Sequence, residues 1–327
     1  MSWTGGKKRS RGSRLRRLVL IAVALVVVVV LVVVGLWYLL AGRLPDEVPT
    51  PPGVEEPPTA QPEHCPDVQV VAIPGTWESS PTDDPYAPQA NPASLMLNVT
   101  QPLQQQFEPS RADVFTVPYV AQFSNPVAIP PDGQQSYNNS RGEGTQVARD
   151  FLVDRMAECG LTKYVLAGFS QGAVIAGDLA SSIGRGDGPV AAEDVLGVAL
   201  IADGRRDPAH GIPVGPEPAG VGAELSLAGL DVPGITMTGA RENGFGELDD
   251  RTYQICAPSD GICDAPAGAF SPGNWLSAAA RIGEYVGNPV HAQYASFVVD
   301  DAGTTSTQWV AGWAASLIEQ APAPPHS

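Results

Sequence analysis

Ser170 stands in the stretch AGFSQG, with Gly168 two residues before it and Gly172 two residues after. A serine hydroxyl is a weak nucleophile unless a base takes its proton, and the base works only when a third group fixes its tautomer and orientation. Four histidines are available. His64 ends a proline-rich segment and His326 lies in the C-terminal tail, so neither is well placed. His210, in DPAHGIP, belongs to a long Gly- and Pro-rich stretch and stays as the rival base. His291, in GNPVHAQYASF, follows a loop and opens a helical stretch. Serines on a strand-to-helix turn of the G-x-S-x-G kind are followed in the chain by the acid and then the histidine. That order selects His291 and places the acid between it and Ser170. In CAPSDGIC a disulfide between Cys256 and Cys263 would lock a tight loop around Asp260 and hold one carboxylate still, with Asp264 just outside as the second candidate. The chemistry such a set performs is acyl transfer through a tetrahedral intermediate, which also needs donors for an oxyanion. The amide of Gln171, directly after the nucleophile, is one. The amide of Thr76 in IPGTWES is the other, its hydroxyl being a further candidate.

These residues need elements to carry them. KYVLAGF (163–169) reads as a strand and QGAVIAGDLASSI (171–183) as a helix of small residues, so Ser170 falls on the turn between them. The small residues at 168 and 172 let strand and helix pack closely there. VQVVAIPG (68–75) is a buried strand ending at Thr76. ADVFTVPY (112–119) and DVLGVALIAD (194–203) read as two more, and GITMTGA (234–240) as a further one. In 144–159 the residues Val147, Phe151, Leu152 and Met156 share a helical face. Residues 274–286 and 304–320 also read as helices. Strands alternating with helices imply an α/β fold, with a central, mostly parallel sheet flanked by helices. The stretch 204–233 shows no clear element. It is either a flap over the site or a surface excursion.

Of 19 basic residues seven lie in 1–17, so residues 18–327 hold 12 against 35 acidic ones, and Lys163 is their only lysine. A body this acidic repels nucleic acid, and no basic patch for phosphate contacts is present. Residues 18–42, LVLIAVALVVVVVLVVVGLWYLLAG, hold no charge. At about 1.5 Å per residue they would cross a hydrocarbon core of about 30 Å. The run is longer than a secretory signal core, and YLLAGR is a poor cleavage site. A single transmembrane anchor is expected, its basic segment 1–17 cytoplasmic and the body extracytoplasmic. A Pro-rich linker (43–64), one catalytic domain (65–320) and a disordered tail (321–327) follow. Outside the cytoplasm four cysteines favour two disulfides. Sequence alone permits three pairings; the short loop favours Cys256 with Cys263, leaving Cys65 with Cys159. The spacing lacks C-x-x-C and nearby histidine, so no metal site is expected.

Taken together, GFSQG around Ser170, C-x-x-x-D-x-x-C at Cys256 to Cys263, and HAQY at His291 resemble the cutinase family of serine esterases. The resemblance covers 65–320. It implies a compact α/β-hydrolase, the pairs Cys65–Cys159 and Cys256–Cys263, and Asp260 as the acid. It also implies action on fatty-acyl esters, with phospholipids and thioesters among the substrates of some members. The anchor and linker are similar to those of envelope-bound cutinase-like proteins of mycolate-containing actinobacteria, which implies a role in cell-envelope lipid metabolism. This chain departs from the small secreted members in its anchor, in Thr76 where a serine often stands, and in a longer stretch between Ser170 and Asp260. The expectation is a monomeric, membrane-anchored serine esterase or lipase that needs no cofactor. Two alternatives stand beside it: an acyltransferase that moves envelope acyl groups to a sugar hydroxyl, and a non-catalytic envelope-binding protein.

Overall fold

The computed structural model describes residues 25–34, 36, 58–125, 129–271, 273 and 275–327. The chain divides into two units, Met1–Pro57 and Pro58–Ser327. Of the expected anchor, residues 25–34 and 36 are helical. Among the described residues no helix is long and apolar enough to cross a membrane. The rest of 18–42, the basic segment 1–17 and residues 43–57 of the linker lie outside the described residues.

The second unit is built on strands β1 (Val68–Ile73), β2 (Ala112–Thr116), β3 (Lys163–Phe169), β4 (Val195–Ile201), β5 (Ile212–Pro213) and β8 (Thr252–Ile255). They form one sheet in the order β2-β1-β3-β4-β8-β5, every pair parallel. A short antiparallel hairpin, β6 (Asp231–Val232) and β7 (Ile235–Thr236), stands apart from it. The helices are α1 (Leu97–Gln106), α2 (Tyr137–Glu158), α3 (Gln171–Gly184), α4 (Ala223–Ser226), α5 (Trp275–Val286) and α6 (Ser306–Gln320).

Alternation along β1 explains the layering. Val68, Val70 and Ala72 point into a cluster with Leu103 of α1 and Val310, Ala314 and Ile318 of α6. Val71 and Ile73 point the other way, onto Leu152 of α2 and Ile175, Leu179 and Ile183 of α3. Both faces are covered, so all six residues of β1 are buried, as a parallel sheet requires. A third apolar cluster lies beyond the strand ends. It joins Leu227, Leu230, Ile235 and Met237 to Tyr137, Ile282 and Tyr285.

Three sequence expectations are corrected, and one helix appears where none was expected. Helix α2 starts at Tyr137, seven residues before the expected 144. Its first turns read Asn-Asn-Ser-Arg-Gly-Glu-Gly and have poor propensity, but Ser136 caps them and Ser140 Oγ donates to Val120 O at 2.5 Å. Helix α1 carries Pro102 inside it, which hid it from a propensity reading. The strand expected over 234–240 shrinks to the β7 arm, and the sheet's fifth partner in line is β8. The tail 321–327 is not disordered: Gln61 N donates to Pro325 O (2.9 Å), Ser327 N to Gln61 O (3.0 Å), and His326 Nε2 lies 2.8 Å from Asp67 Oδ1. The same contacts bring residues 58–64 of the expected linker into the body.

Two disulfides, Cys65–Cys159 and Cys256–Cys263, use all four cysteines.

Candidate active site

Strand β3 ends at Phe169 and α3 begins at Gln171, so the whole reversal of direction falls on Ser170. Its φ is 55° and ψ −120°, a region that a side chain rarely adopts. The flanking glycines are obligatory: a Cβ on Gly168 would come within 2.3 Å of Gly172 O, and one on Gly172 within 2.1 Å of Ile73 O. The strained turn lifts the hydroxyl to the carboxyl edge of the sheet, at the positive end of α3.

His291 arrives from the other side of the cleft, on a single 3-10 turn, Pro289–Ala292, after α5. Asn288 caps that turn through Val290 N (2.9 Å), and its Nδ2 donates to Ser259 O at 2.7 Å. The histidine turn is thereby tied to the disulfide loop that carries Asp260. His291 Nε2 lies 2.8 Å from Ser170 Oγ, and Nδ1 lies 2.9 and 3.2 Å from the two oxygens of Asp260. A carboxylate only accepts, so Nδ1 holds the proton and Nε2 presents its lone pair to the serine. The Phe169 ring stacks on the imidazole, centroids 5.1 Å apart and planes 21° apart.

Asp260 is completely buried. Ile262 N donates to its Oδ1 at 3.0 Å and Tyr294 Oη to its Oδ2 at 2.7 Å, while Ala257 N donates to the same Tyr294 oxygen at 2.9 Å. Burial, and then the adjoining carboxylate, push the Tyr294 hydroxyl far above the usual phenol range, so it stays a donor. Tyr294, in HAQY, has no role among the sequence expectations, although its place three residues after His291 is a signal for one. Asn288 and Glu78 were missed as well.

The other candidates fall elsewhere. Asp264 accepts from Ser259 N and Gly220 N and braces the loop. His210 Nδ1 lies 2.8 Å from Asp249, and His64 lies 2.9 Å from Glu158. His64, Cys65 and Cys159 are close enough to share an ion, but both sulfurs are spent in a disulfide and offer no thiolate.

Thr76 occupies a turn closed by Glu78 N donating to Gly75 O at 3.1 Å. Trp77, next in that turn, has φ 64° and donates its amide to Ala121 O at 2.6 Å. Among the described residues the Thr76 amide has no protein acceptor, and the Gln171 amide, first in α3, has no partner within its helix. Thr76 Oγ1 donates to Gln171 Oε1 at 3.2 Å, joining the two segments.

All of this opens on a cleft of about 410 Å³. One wall holds Thr76, Glu78, Asn91 and Asn98. The other is apolar, with Phe123, Val174, Leu227, Met237 and Ile282. The 204–233 stretch supplies part of the apolar wall and is well tied down. Arg206 donates to the carbonyls of Gly220 (2.8 Å) and Pro218 (3.0 Å), and Ala223 N donates to Ile262 O at 2.8 Å. Below that wall Arg141 pairs with Glu224 at 3.0 Å, and Asp178 meets Arg205 at 2.8 Å and Arg241 at 2.9 Å.

A model of the cutinase family matches residues 64–301. The Carboxylesterase Culp6 homolog of Corynebacterium glutamicum is 47% identical over 277 residues, which cover 83% of this chain and 87% of that protein. Among solved structures, a novel cutinase-like protein from Cryptococcus sp. matches with a TM-score of 0.45 and 17% identity, covering 82% of this chain and 100% of the other. The catalytic core domain of acetyl xylan esterase from Trichoderma reesei matches with a TM-score of 0.46 and 18% identity, covering 79% of this chain and 100% of the other.

Proposed function

Because this chain belongs to the cutinase family and is a carboxylic ester hydrolase, we propose that it cleaves fatty-acyl esters with Ser170 as nucleophile, His291 as base and Asp260 as orienting acid. One observation carries the reading: an unbroken hydrogen-bonded chain, Asp260 to His291 to Ser170, opening on a cleft with one apolar wall. Ser170 Oγ attacks the ester carbonyl carbon as Nε2 takes its proton. The oxyanion draws hydrogen bonds from the amides of Thr76 and Gln171. The intermediate collapses, the alcohol leaves with the proton from Nε2, and an acyl-enzyme remains. Water, deprotonated by the same nitrogen, releases the acid. The wall of Phe123, Leu227, Met237 and Ile282 accounts for an aliphatic acyl chain, since burying it there removes apolar surface from water.

The same reading makes residues 18–42 a membrane anchor and puts the body outside, in cell-envelope lipid metabolism. What supports this is the uncharged run, the seven basic residues before it, and two disulfides, which persist in oxidising compartments.

The test is hydrolysis of p-nitrophenyl esters of graded chain length, beside a phospholipid and an acyl thioester, by wild type and Ser170→Ala. The substitution should lower kcat by about 10⁴-fold or more without unfolding the protein. Equal activity in both would remove Ser170 from the chemistry.

A further inference from the structure

Glu78 lines the cleft with Ser170 and His291, yet no step above uses it. Its carboxylate is fully engaged. Oε2 accepts from Gly75 N (3.1 Å) and Ser94 Oγ (3.1 Å), and Oε1 accepts from Leu95 N (2.8 Å). These bonds join the start of the Thr76 turn to the segment that leads into α1. The turn contains Trp77 at φ 64°, a left-handed conformation that a non-glycine residue adopts only at a cost. Such a turn persists only when its surroundings hold it, and charge-assisted hydrogen bonds to a carboxylate are strong ones.

Its position matters as much. Among the described residues, His291, from the turn after α5, lines the same cleft as Glu78, and Tyr119, from the segment after β2, also interacts with it. Tyr119 is buried and donates to Pro74 O at 2.7 Å. Burial, and then Glu78 itself, hold its hydroxyl well above the phenol range, so it stays neutral. Of the two, His291 is the group that gains a charge in the reaction. Burial raises Glu78 above the ordinary carboxyl range, while the hydrogen bonds from Leu95, Gly75 and Ser94 and a charge on His291 act against that rise.

Resting on the assignment of Ser170, His291 and Asp260, we propose that Glu78 is a second active-site carboxylate. It clamps the turn that presents the Thr76 amide, and it stabilises the imidazolium of His291 that forms when Ser170 gives up its proton. It is a positioning residue, acting through Thr76 and His291 without touching substrate.

The experiment compares full-length wild type, Glu78→Gln, Glu78→Asp, Ser94→Ala and Ser170→Ala. Each is assayed for the pH dependence of kcat/KM on a p-nitrophenyl ester, with competent sites counted by a fluorophosphonate in every variant that keeps Ser170 and folding of Ser170→Ala checked by circular dichroism, so that unfolded protein does not enter the rates. Glu78→Gln keeps the volume and removes the charge. Its kcat should fall about tenfold or more, with KM within about twofold, because only the transition state carries the oxyanion and the imidazolium. The acid limb of its kcat/KM profile should move to lower pH, since losing a neighbouring anion disfavours the protonated form of the site. Glu78→Asp keeps the charge but shortens the clamp, so kcat falls while the limb stays in place. Wild-type kcat in Glu78→Gln, or a lowered kcat with an unmoved limb, overturns the proposal. If Glu78→Gln does not fold, Ser94→Ala carries the test. It strips one bond from the carboxylate and should lower kcat a few-fold, and an unchanged kcat there also overturns the proposal. Full activity in Ser170→Ala would instead remove the catalytic assignment beneath it.

Discussion

Asp260 has no access to water, so each of its oxygens must find a donor within the protein. Tyr294 supplies one and is itself held by Ala257 N. Tyr294→Phe keeps the ring, which packs edge-on to Phe169, and deletes only the hydroxyl. The carboxylate then keeps Ile262 N and His291, and the Ala257 amide loses its acceptor. Stability should drop by about 1–3 kcal/mol in urea unfolding. The acid also holds His291 less firmly, so kcat should fall about tenfold while KM stays close to wild type. An unchanged kcat would show that Ile262 N and the loop alone fix Asp260. Ser170 and His291 were legible as candidates from residue type and chain order, and Asp260, beside Asp264, from the family resemblance. Tyr294 and Glu78 were not. A tyrosine and a glutamate have many uses, and only the direction of their polar atoms shows which one applies.

At the scale of elements, the same limit shows in what holds the apolar wall. Asp178 on α3 is the common anion of three guanidinium groups, Arg141 from α2 with Arg205 and Arg241 from the segments after β4 and β7. Burial alone would raise Asp178, but Arg241, Arg141 and Arg205 together hold it below the usual carboxylate range. A carboxyl lowered in the fold contributes stability above its unfolded value of about 3.9, and that contribution is lost as pH falls through the folded value. Asp178→Asn should cost about 1–3 kcal/mol at neutral pH, because three guanidinium groups lose their shared partner while Arg141 keeps Glu224 and Arg241 keeps Asp203. The part of the acid sensitivity below about pH 4 that Asp178 causes should vanish in the variant. Urea unfolding at pH 7 and pH 3.5 measures both, and an equal loss at the two pH values would refute the role. Elements with strong periodicity, such as β1, β3 and α3, were visible in the sequence. Helix α1 and the first turns of α2 were not, since Pro102 and the Asn/Gly-rich start at 138–144 oppose helix locally. Tertiary contacts overrule them: Gly144 lets Tyr119 and Ile175 approach to within 3 Å of where a Cβ would sit.

At the scale of the whole molecule, the Cys65–Cys159 bridge and the paired ends at Gln61 and Ser327 close the catalytic unit on itself. The proposed topology puts residues 58–327 outside the membrane. Protease added to intact cells should release the body and leave a short fragment containing residues 1–42. Full protection of the body until the membrane is permeabilised would place it inside. The sequence by itself determined the class of chemistry and the layered parallel sheet, and it nominated the proposed nucleophile, base and acid. A strained G-x-S-x-G turn and buried apolar strands are demands made within a few residues. Tertiary structure alone decided which carboxylates and hydroxyls brace the site, that the 204–233 excursion forms a wall of the cleft, and that the chain's last residues pack onto the start of the domain. Those outcomes depend on contacts between residues tens to hundreds of positions apart, and they are set by where buried polar atoms can find partners once the chain has closed.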